Sequence, residues 1–239
     1  MVKFLKSINN QKSAAMVAGI SLLVMTLAAF FSYGYVHSSL ITESSPIMTI
    51  ENIKESSLLF NLEIVGWVVI IITDLLVSWA LYAFLKPTHK KLAQIAGLAR
   101  IIYTGVLALA VSNLINASLM AKSTVSPQSA SQTMSSIASF EATWSFGLII
   151  FGLHLLLVGI VALKATHIPR LFSYLLMAAG ISYSVVHLMN GFFPELESIK
   201  SMLEMVLSVP MFVGEIGFGI WLLLKGRKYH NINRQPLTS

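Results

Sequence analysis

Residues 60–121 read FNLEIVGWVVIIITDLLVSWALYAFL, then KPTHKK, then LAQIAGLARIIYTGVLALAVSNLINASLMA. Two long apolar runs, Phe60 to Leu85 and Leu92 to Ala121, flank a short basic step that holds Pro87 and the lysines Lys86, Lys90 and Lys91. Each run exceeds the roughly 20 helical residues needed to cross a bilayer core about 30 Å thick. Lipid offers the backbone no hydrogen-bond partner, and neither run alternates with the period of a barrel strand, so both read as helices. The basic step then makes them antiparallel neighbours.

Four further segments fit the same description: Ala14 to Tyr35, Ala142 to Leu163, Leu171 to Asn190, and Met202 to Leu224. The predicted fold is all-α: a polytopic membrane protein of six transmembrane helices arranged as three antiparallel hairpins. A 14–224 transmembrane domain is flanked by an N-terminal tail at 1–13 and a basic tail at 225–239. Composition agrees. Of 239 residues, 56% are hydrophobic and 11% charged, against roughly 25% charged in soluble proteins, which excludes a soluble globule and a disordered chain. The net charge of +6 does not point to nucleic acid, because the basic residues form short clusters between apolar runs. No cysteine is present, so disulfides, thiolate metal sites and thiol nucleophiles are excluded.

Those clusters set the orientation. Lys3, Lys6, Lys12, Lys86, Lys90, Lys91, Lys164, Arg170, Lys225, Arg227, Lys228 and Arg234 fall on one side of a six-span layout, and only Lys54, Lys122 and Lys200 on the other. Cytoplasmic loops carry the Lys and Arg excess, so both termini are placed in the cytoplasm, with anionic lipid headgroups as partners of that face. The acids Glu43, Glu51, Glu55, Glu63, Glu141, Glu195, Glu197 and Glu204 favour the opposite side. The run from Ala14 to Phe31 outlasts a signal-peptide core and no small-x-small cleavage site follows, so it reads as a retained helix.

The external loops, about Val36 to Leu59 and Lys122 to Glu141, are too short for a folded catalytic domain, so any site lies in the bundle or at its rim. In the first loop, Ser45 followed by Pro46 starts a short surface helix with Ile47, Ile50 and Ile53 as an apolar stripe; an ordinary solvated loop is the alternative. The second loop, rich in Ser, Thr and Gln, reads as mobile. Trp67 and Trp144 fit an interfacial aromatic belt, and His89, His167 and His230, among basic residues, read as solvated.

Ala18-Gly19-Ile20, Ala96-Gly97-Leu98 and Ala179-Gly180-Ile181 repeat a small-residue step in the first, third and fifth spans. Each returning span carries one ionisable group: Asp74, His154 and Glu215, respectively twelve, ten and ten residues before a lysine. At a rise of 1.5 Å per residue, those spacings place all three about 15–18 Å from the basic side, and Arg100 about 14 Å from it. Charged groups at that depth cost about 2.5–3.5 kcal/mol each unless they pair, so the four are expected to face inward. Asp74 and Arg100 are the natural partners. With neutral histidine the set carries −1, and one proton shared by His154 and Glu215 would neutralise it.

Several readings of this cluster stand together: a scaffold holding helices in register, a proton-responsive or small-polar-solute site, and a metal site of Asp74, His154 and Glu215, which Arg100 disfavours. Haem would need two histidines at one depth, and only His37 and His187, near the outer surface, offer that. No nucleophile elbow, zincin, Walker or dinucleotide motif is present, so no cofactor is expected.

The run Phe151-Gly-Leu-His-Leu-Leu-Leu-Val-Gly159, with Ile168-Pro-Arg170, Ala179-Gly180, Tyr183, Gly214-Glu215 and Trp221-Leu-Leu-Leu-Lys-Gly226, resembles the bacterial membrane proteins of domain-of-unknown-function family 4386. Asp74, Leu81-Tyr82, Leu85-Lys86-Pro87 and Arg100 fit the same pattern, and the resemblance spans roughly residues 10 to 228. It implies a multi-pass protein of the bacterial cytoplasmic membrane and carries no activity. One departure stands: the family pattern places an Arg shortly after the Phe that opens the second helix, where Asn61 follows Phe60. The expected function is therefore a non-enzymatic membrane protein that binds or conducts a proton or small polar solute. A membrane-embedded enzyme acting on a lipid or isoprenoid is the rival, and a purely structural or regulatory bundle a third reading.

Overall fold

The structure is a computed structural model that describes residues 10–193 and 197–226; the tail residues 1–9 and 227–239, His230 among them, and Glu195 lie outside it. Among the described residues the fold is all-helical, with six helices. Helix α1 runs Gln11–Leu40 and passes through an eight-residue π-helical stretch, Phe30–His37. Helix α2 is Pro46–Glu55, α3 is Ser57–Met120, α4 is Pro127–Lys164, α5 is Arg170–Phe192 and α6 is Glu197–Leu224. Four of them, α1, α3, α4 and α5, are long and apolar enough to cross a membrane.

The 64-residue α3 is not one rod. It breaks at His89, whose backbone is extended at φ −156° and ψ 92°. Pro87 two residues earlier lacks an amide proton and disfavours the helical conformation before it. The His89 ring then accepts from the backbone amide of Leu92 at 3.3 Å and restarts the chain as a second arm. The arms run back along each other: the Ser78 hydroxyl donates to the Gly97 carbonyl at 2.9 Å, and Ser118 donates to Asn61 at 2.9 Å near the far end. Asn61, standing where a family arginine was expected, thus ties the two arms together.

Each rod packs antiparallel on the next, and the last closes on the first. Gln11 at the start of α1 donates to the Phe84 carbonyl of the first α3 arm, and Ser32 donates to the Glu63 carbonyl at the other end. The second arm meets α4 where Tyr103 packs on Phe151 at 4.9 Å. Helices α4 and α5 touch through glycine. A Cβ built on Gly180 would lie 2.5 Å from the Gly152 carbonyl oxygen, so backbone meets backbone there and no larger residue fits. Gly19 of α1 likewise abuts the backbone of Gly219, closing α6 onto α1. The repeated Ala-Gly step therefore sits at helix seams, where small residues allow close approach.

Contacts sort the ends. Phe84, His167 and Trp221 gather at one end through Phe84 ring contacts of 5.9 and 6.3 Å, which brings Lys86, Lys164 and Lys225 there. The opposite end holds Glu43, Glu55, Glu63 and Glu141, with Lys54 donating to the Ser123 carbonyl. Large apolar side chains such as Leu27, Val65, Ile72, Ile95, Leu109 and Leu171 point outward, from 51% to 70% exposed. A soluble monomer rarely shows apolar surface on this scale, and it marks a membrane protein.

Three expectations are corrected. The segment 122–141 is not a mobile loop beyond a short cap: α4 starts at Pro127, with Ser126 accepting from the Ser129 amide in a capping box. Ala130, Thr133, Ile137 and Phe140 lie at helical spacing and are 0–1% exposed, so a narrow stripe folds a stretch whose average polarity suggested a loop. In α2, capped by Ser45, the buried stripe is Thr49, Ile50 and Ile53, while Ile47 is exposed. Trp67 is 1% exposed and packs edge-on against Phe140 and Trp144 inside the bundle, not against an interface.

Candidate functional site

Asp74, Arg100 and His154 converge in the middle of the bundle. Arg100 donates to Asp74 Oδ1 twice, from Nε at 2.9 Å and from Nη2 at 2.6 Å. Its third face, Nη1, lies 3.1 Å from His154 Nε2, and His154 Nδ1 lies 2.8 Å from the Ala96 carbonyl. A carbonyl only accepts and a guanidinium only donates, so the proton count fixes the tautomer: Nδ1 carries hydrogen and Nε2 accepts. His154 is thereby neutral, and the trio sums to zero charge. All three are 0–1% exposed. Met25 Sδ, 3.4 Å from Nη2, and the Phe151 ring, 5.1 Å from the guanidinium carbon, close the side facing the rest of the bundle. Asp74 Oδ2 is buried without a hydrogen-bond partner.

Glu215 does not join them. Its Oε1 accepts from the Tyr183 hydroxyl at 3.0 Å, within the α5–α6 pair. Both ring nitrogens of His154 are already engaged, so the shared His154–Glu215 proton expected from depth alone has no geometric basis. The metal set of Asp74, His154 and Glu215 fails for the same reason: Arg100 occupies the space between the first two, and the third bonds elsewhere. Equal depth on different helices does not imply contact.

A second cluster was not anticipated. Glu63 is fully buried, and its Oε1 meets His37 Nδ1 at 2.8 Å and Trp67 Nε1 at 3.4 Å. The other ring nitrogen, His37 Nε2, lies 3.2 Å from Glu141 Oε1. Two nitrogen–carboxylate contacts need two hydrogens, so this trio holds at least one proton more than a neutral histidine between two carboxylates. Tyr33 stacks on the His37 ring at 5.0 Å. The π-helical stretch carries both Tyr33 and His37, and such wider turns recur at functional positions. The signal in the sequence was that Glu63 stands inside an apolar stretch with Trp67 one turn on, facing the same way. His37 thus turns to Glu63 and Glu141, while His187 is hydrogen-bonded to Ser145 at 2.9 Å.

Between the clusters lies a cavity of about 1150 Å³. It runs from Glu43, Glu141 and Asn190 at the acidic end down to Met25, Ile70 and Glu215 in the middle, and Tyr33, Trp67, Tyr103, Trp144, Phe151 and Tyr183 are among its wall residues. Met25 and Phe151 serve as its floor and as the lid of the Asp74–Arg100–His154 cluster at once. Glu141 links its rim to His37, and Glu215 projects into its depth.

Residues 17–226 match the family described as Domain of unknown function (DUF4386), a range that takes in both clusters and every helix around the cavity. The chain belongs to the DUF4386 family. An uncharacterized protein of Archaeoglobus fulgidus is 27% identical over 175 residues, covering 72% of this chain and 89% of that protein. No solved structure matches. Within the DUF4386 match lie the residues that carried the resemblance, and the structure gives several of them packing work. Gly152 and Gly180 make the α4–α5 seam, Tyr183 and Glu215 tie α5 to α6, and Asp74 and Arg100 tie the two arms of α3.

Proposed function

We propose that this DUF4386 protein binds a small solute in its aromatic cavity, which opens on the outer face of the bacterial cytoplasmic membrane. Six crossings fit the chain: the two arms of α3 each exceed the length needed, and α6 pairs antiparallel with α5 and α1. The end that gathers Lys86, Lys164 and Lys225 then faces the cytoplasm and its anionic lipids, and both termini lie there. Carrying the reading is the position of Glu215: a carboxylate in mid-bundle, partly exposed to the cavity, with one oxygen held by Tyr183. Solute binding, rather than conduction through Asp74, Arg100 and His154, is favoured because that cluster is neutral, engaged on every guanidinium nitrogen and lidded by Met25 and Phe151. Its role is to hold the cavity floor. Against the rival of an enzyme taking a lipid from the side, Phe30 of α1 and Phe212 of α6 close their seam edge to face at 5.6 Å.

The chain has no cysteine, so single substitutions report cleanly. Cysteines at Thr26 and Ser145, in the cavity wall, are expected to react with a membrane-impermeant thiol reagent added outside and to be silent to reagent added inside. Ser182→Cys, buried in α5, serves as the unreactive control. Silence of both cavity positions from outside would end the solute-binding reading. Cysteines at Lys90, Gln128 and Thr166 should label from inside, outside and inside; any other order breaks the six-crossing layout.

A further inference from the structure

We propose that the cavity's ligand is a bulky organic monocation, held by aromatic faces and by the Glu215 carboxylate; this rests on the solute-binding reading and specifies its ligand class. Charge decides the sign. The lining holds three carboxylates, Glu43, Glu141 and Glu215, and among the described residues no lysine or arginine. Arg100, the cation nearest the floor, does not repel a guest: Asp74 neutralises it at 2.6 Å, and His154 adds no charge because its Nε2 accepts from Arg100. The walls supply the attraction that suits a large, weakly hydrated cation. Tyr33 meets Trp144 edge to face at 4.8 Å near the mouth, and Tyr103 and Tyr183 flank Phe151 at 4.9 and 5.2 Å around the floor. Ring faces attract cations through the quadrupole, most strongly where water is excluded.

Size agrees with charge. A drug-sized ligand fills a site of roughly 300–1,000 Å³, and a cavity of about 1150 Å³ accommodates one with its aromatic groups spread against the walls. A proton or a bare metal ion would leave most of that volume unfilled. The π-helical stretch supports the same end independently, because it supplies Phe30, Tyr33 and Gly34 to the wall while sending His37 to Glu141 at the rim. A polar anion would meet Glu43 and Glu215, with Glu141 between them and His37, and no lysine or arginine among the described lining residues to offset them.

Tetraphenylphosphonium and tetraphenylborate share shape and size and differ in the sign of charge, so they isolate the proposal. Equilibrium dialysis of the purified full chain in detergent, against protein-free micelles, is expected to show saturable phosphonium binding and none of the borate. Glu215→Gln should weaken the phosphonium on the order of tenfold, and Glu215→Asp should restore part of it. Glu43→Gln, at the exposed mouth and away from the packed core, should weaken it less and keeps the test alive if the Glu215 variants fail to fold. Equal binding of the borate, or phosphonium affinity unchanged by both the Glu215→Gln and Glu43→Gln substitutions, overturns the cation assignment. So does phosphonium binding that appears only after bound phospholipid is stripped away, which would give the cavity to lipid. Reactive cavity cysteines together with equal borate binding, or with an affinity unchanged in both variants, would leave the solute-binding reading standing and this one refuted; the lipid outcome or unreactive cysteines would remove both.

Discussion

The inner trio of Asp74, Arg100 and His154 and the outer trio of His37, Glu63 and Glu141 use the same parts to opposite ends. Each threads one nitrogen-rich side chain between two partners, and each leaves one carboxylate oxygen, Asp74 Oδ2 or Glu63 Oε2, buried without a partner. The inner trio is sealed, with every member at most 1% exposed and a charge of zero by its own hydrogen count. In the outer trio, the Glu141 side chain is 38% exposed and stands at the rim of the cavity. A sealed, neutral cluster fixes geometry; a cluster with one arm in solvent can exchange that arm with a ligand or a proton. The two therefore mark the floor and the mouth of one site.

Breaking the inner trio should have the largest effect. Arg100→Leu leaves Asp74 ionised and uncompensated in the interior and is expected to destabilise by about 3–5 kcal/mol, whereas Asp74→Leu combined with Arg100→Leu should be far milder. Unfolding of the three variants in mixed micelles measures the coupling. Additive losses would show that the pair does not act as a unit, and the contrast with the outer trio would collapse. His154→Phe should cost less, about 1–3 kcal/mol, by leaving the Arg100 Nη1 donor and the Ala96 carbonyl without their partner. A loss as large as that of Arg100→Leu would mean His154 holds charge, against the tautomer its bonds dictate.

How much of this could be read from the sequence depends on whether the signal was local. Apolar run length and lysine placement are local, so the long membrane helices and the Pro87 turn were legible. Depth is also local, and it brought Asp74 and Arg100 together because a short connection fixed their rods side by side. Azimuth is not local: which way Glu215 faces on α6 depends on where α5 presents Tyr183, and no spacing within one helix encodes that. The outer trio was missed because His37 and Glu141 looked like ordinary helix-end residues, and the apolar stretch around Glu63 does not say which other helix partners it. Only the π-helical widening of α1 and the extension of α4 back to Pro127 bring them together. That extension was itself readable in Ala130, Thr133, Ile137 and Phe140, a stripe hidden by the serines between its members.

Loosening the outer trio should barely affect stability. Glu141→Gln removes one carboxylate from a partly solvated ion pair and is expected to shift stability by about 1 kcal/mol or less, measured by the same unfolding experiment. Solute access should respond more than stability, since Glu141 stands at the mouth. A loss comparable to that of Arg100→Leu would make the outer trio a second keystone instead of a rim, and the division into floor and mouth would fail.

The smallest effect expected belongs to neither trio and guards the comparison against a false acid response. His167, in the connection between α4 and α5, sits with its ring 5.9 Å from Phe84, and burial lowers its pKa below the ordinary 6.5. The sign follows from which state takes up the proton first. On acidification through 6.5 the unfolded chain protonates its imidazole while the folded chain still resists, so the unfolded state binds more protons and stability falls. Above that range both states are neutral and the contribution is flat. His167→Phe removes the titration and keeps an aromatic ring against Phe84, so its melting temperature should fall less than that of the unmodified chain between about pH 7.5 and about pH 5.5. The partial exposure of the ring keeps the difference small. Parallel curves for the two proteins would assign the acid sensitivity to other groups, with the outer trio, where His37 lies between two carboxylates, the first to be tested by His37→Gln.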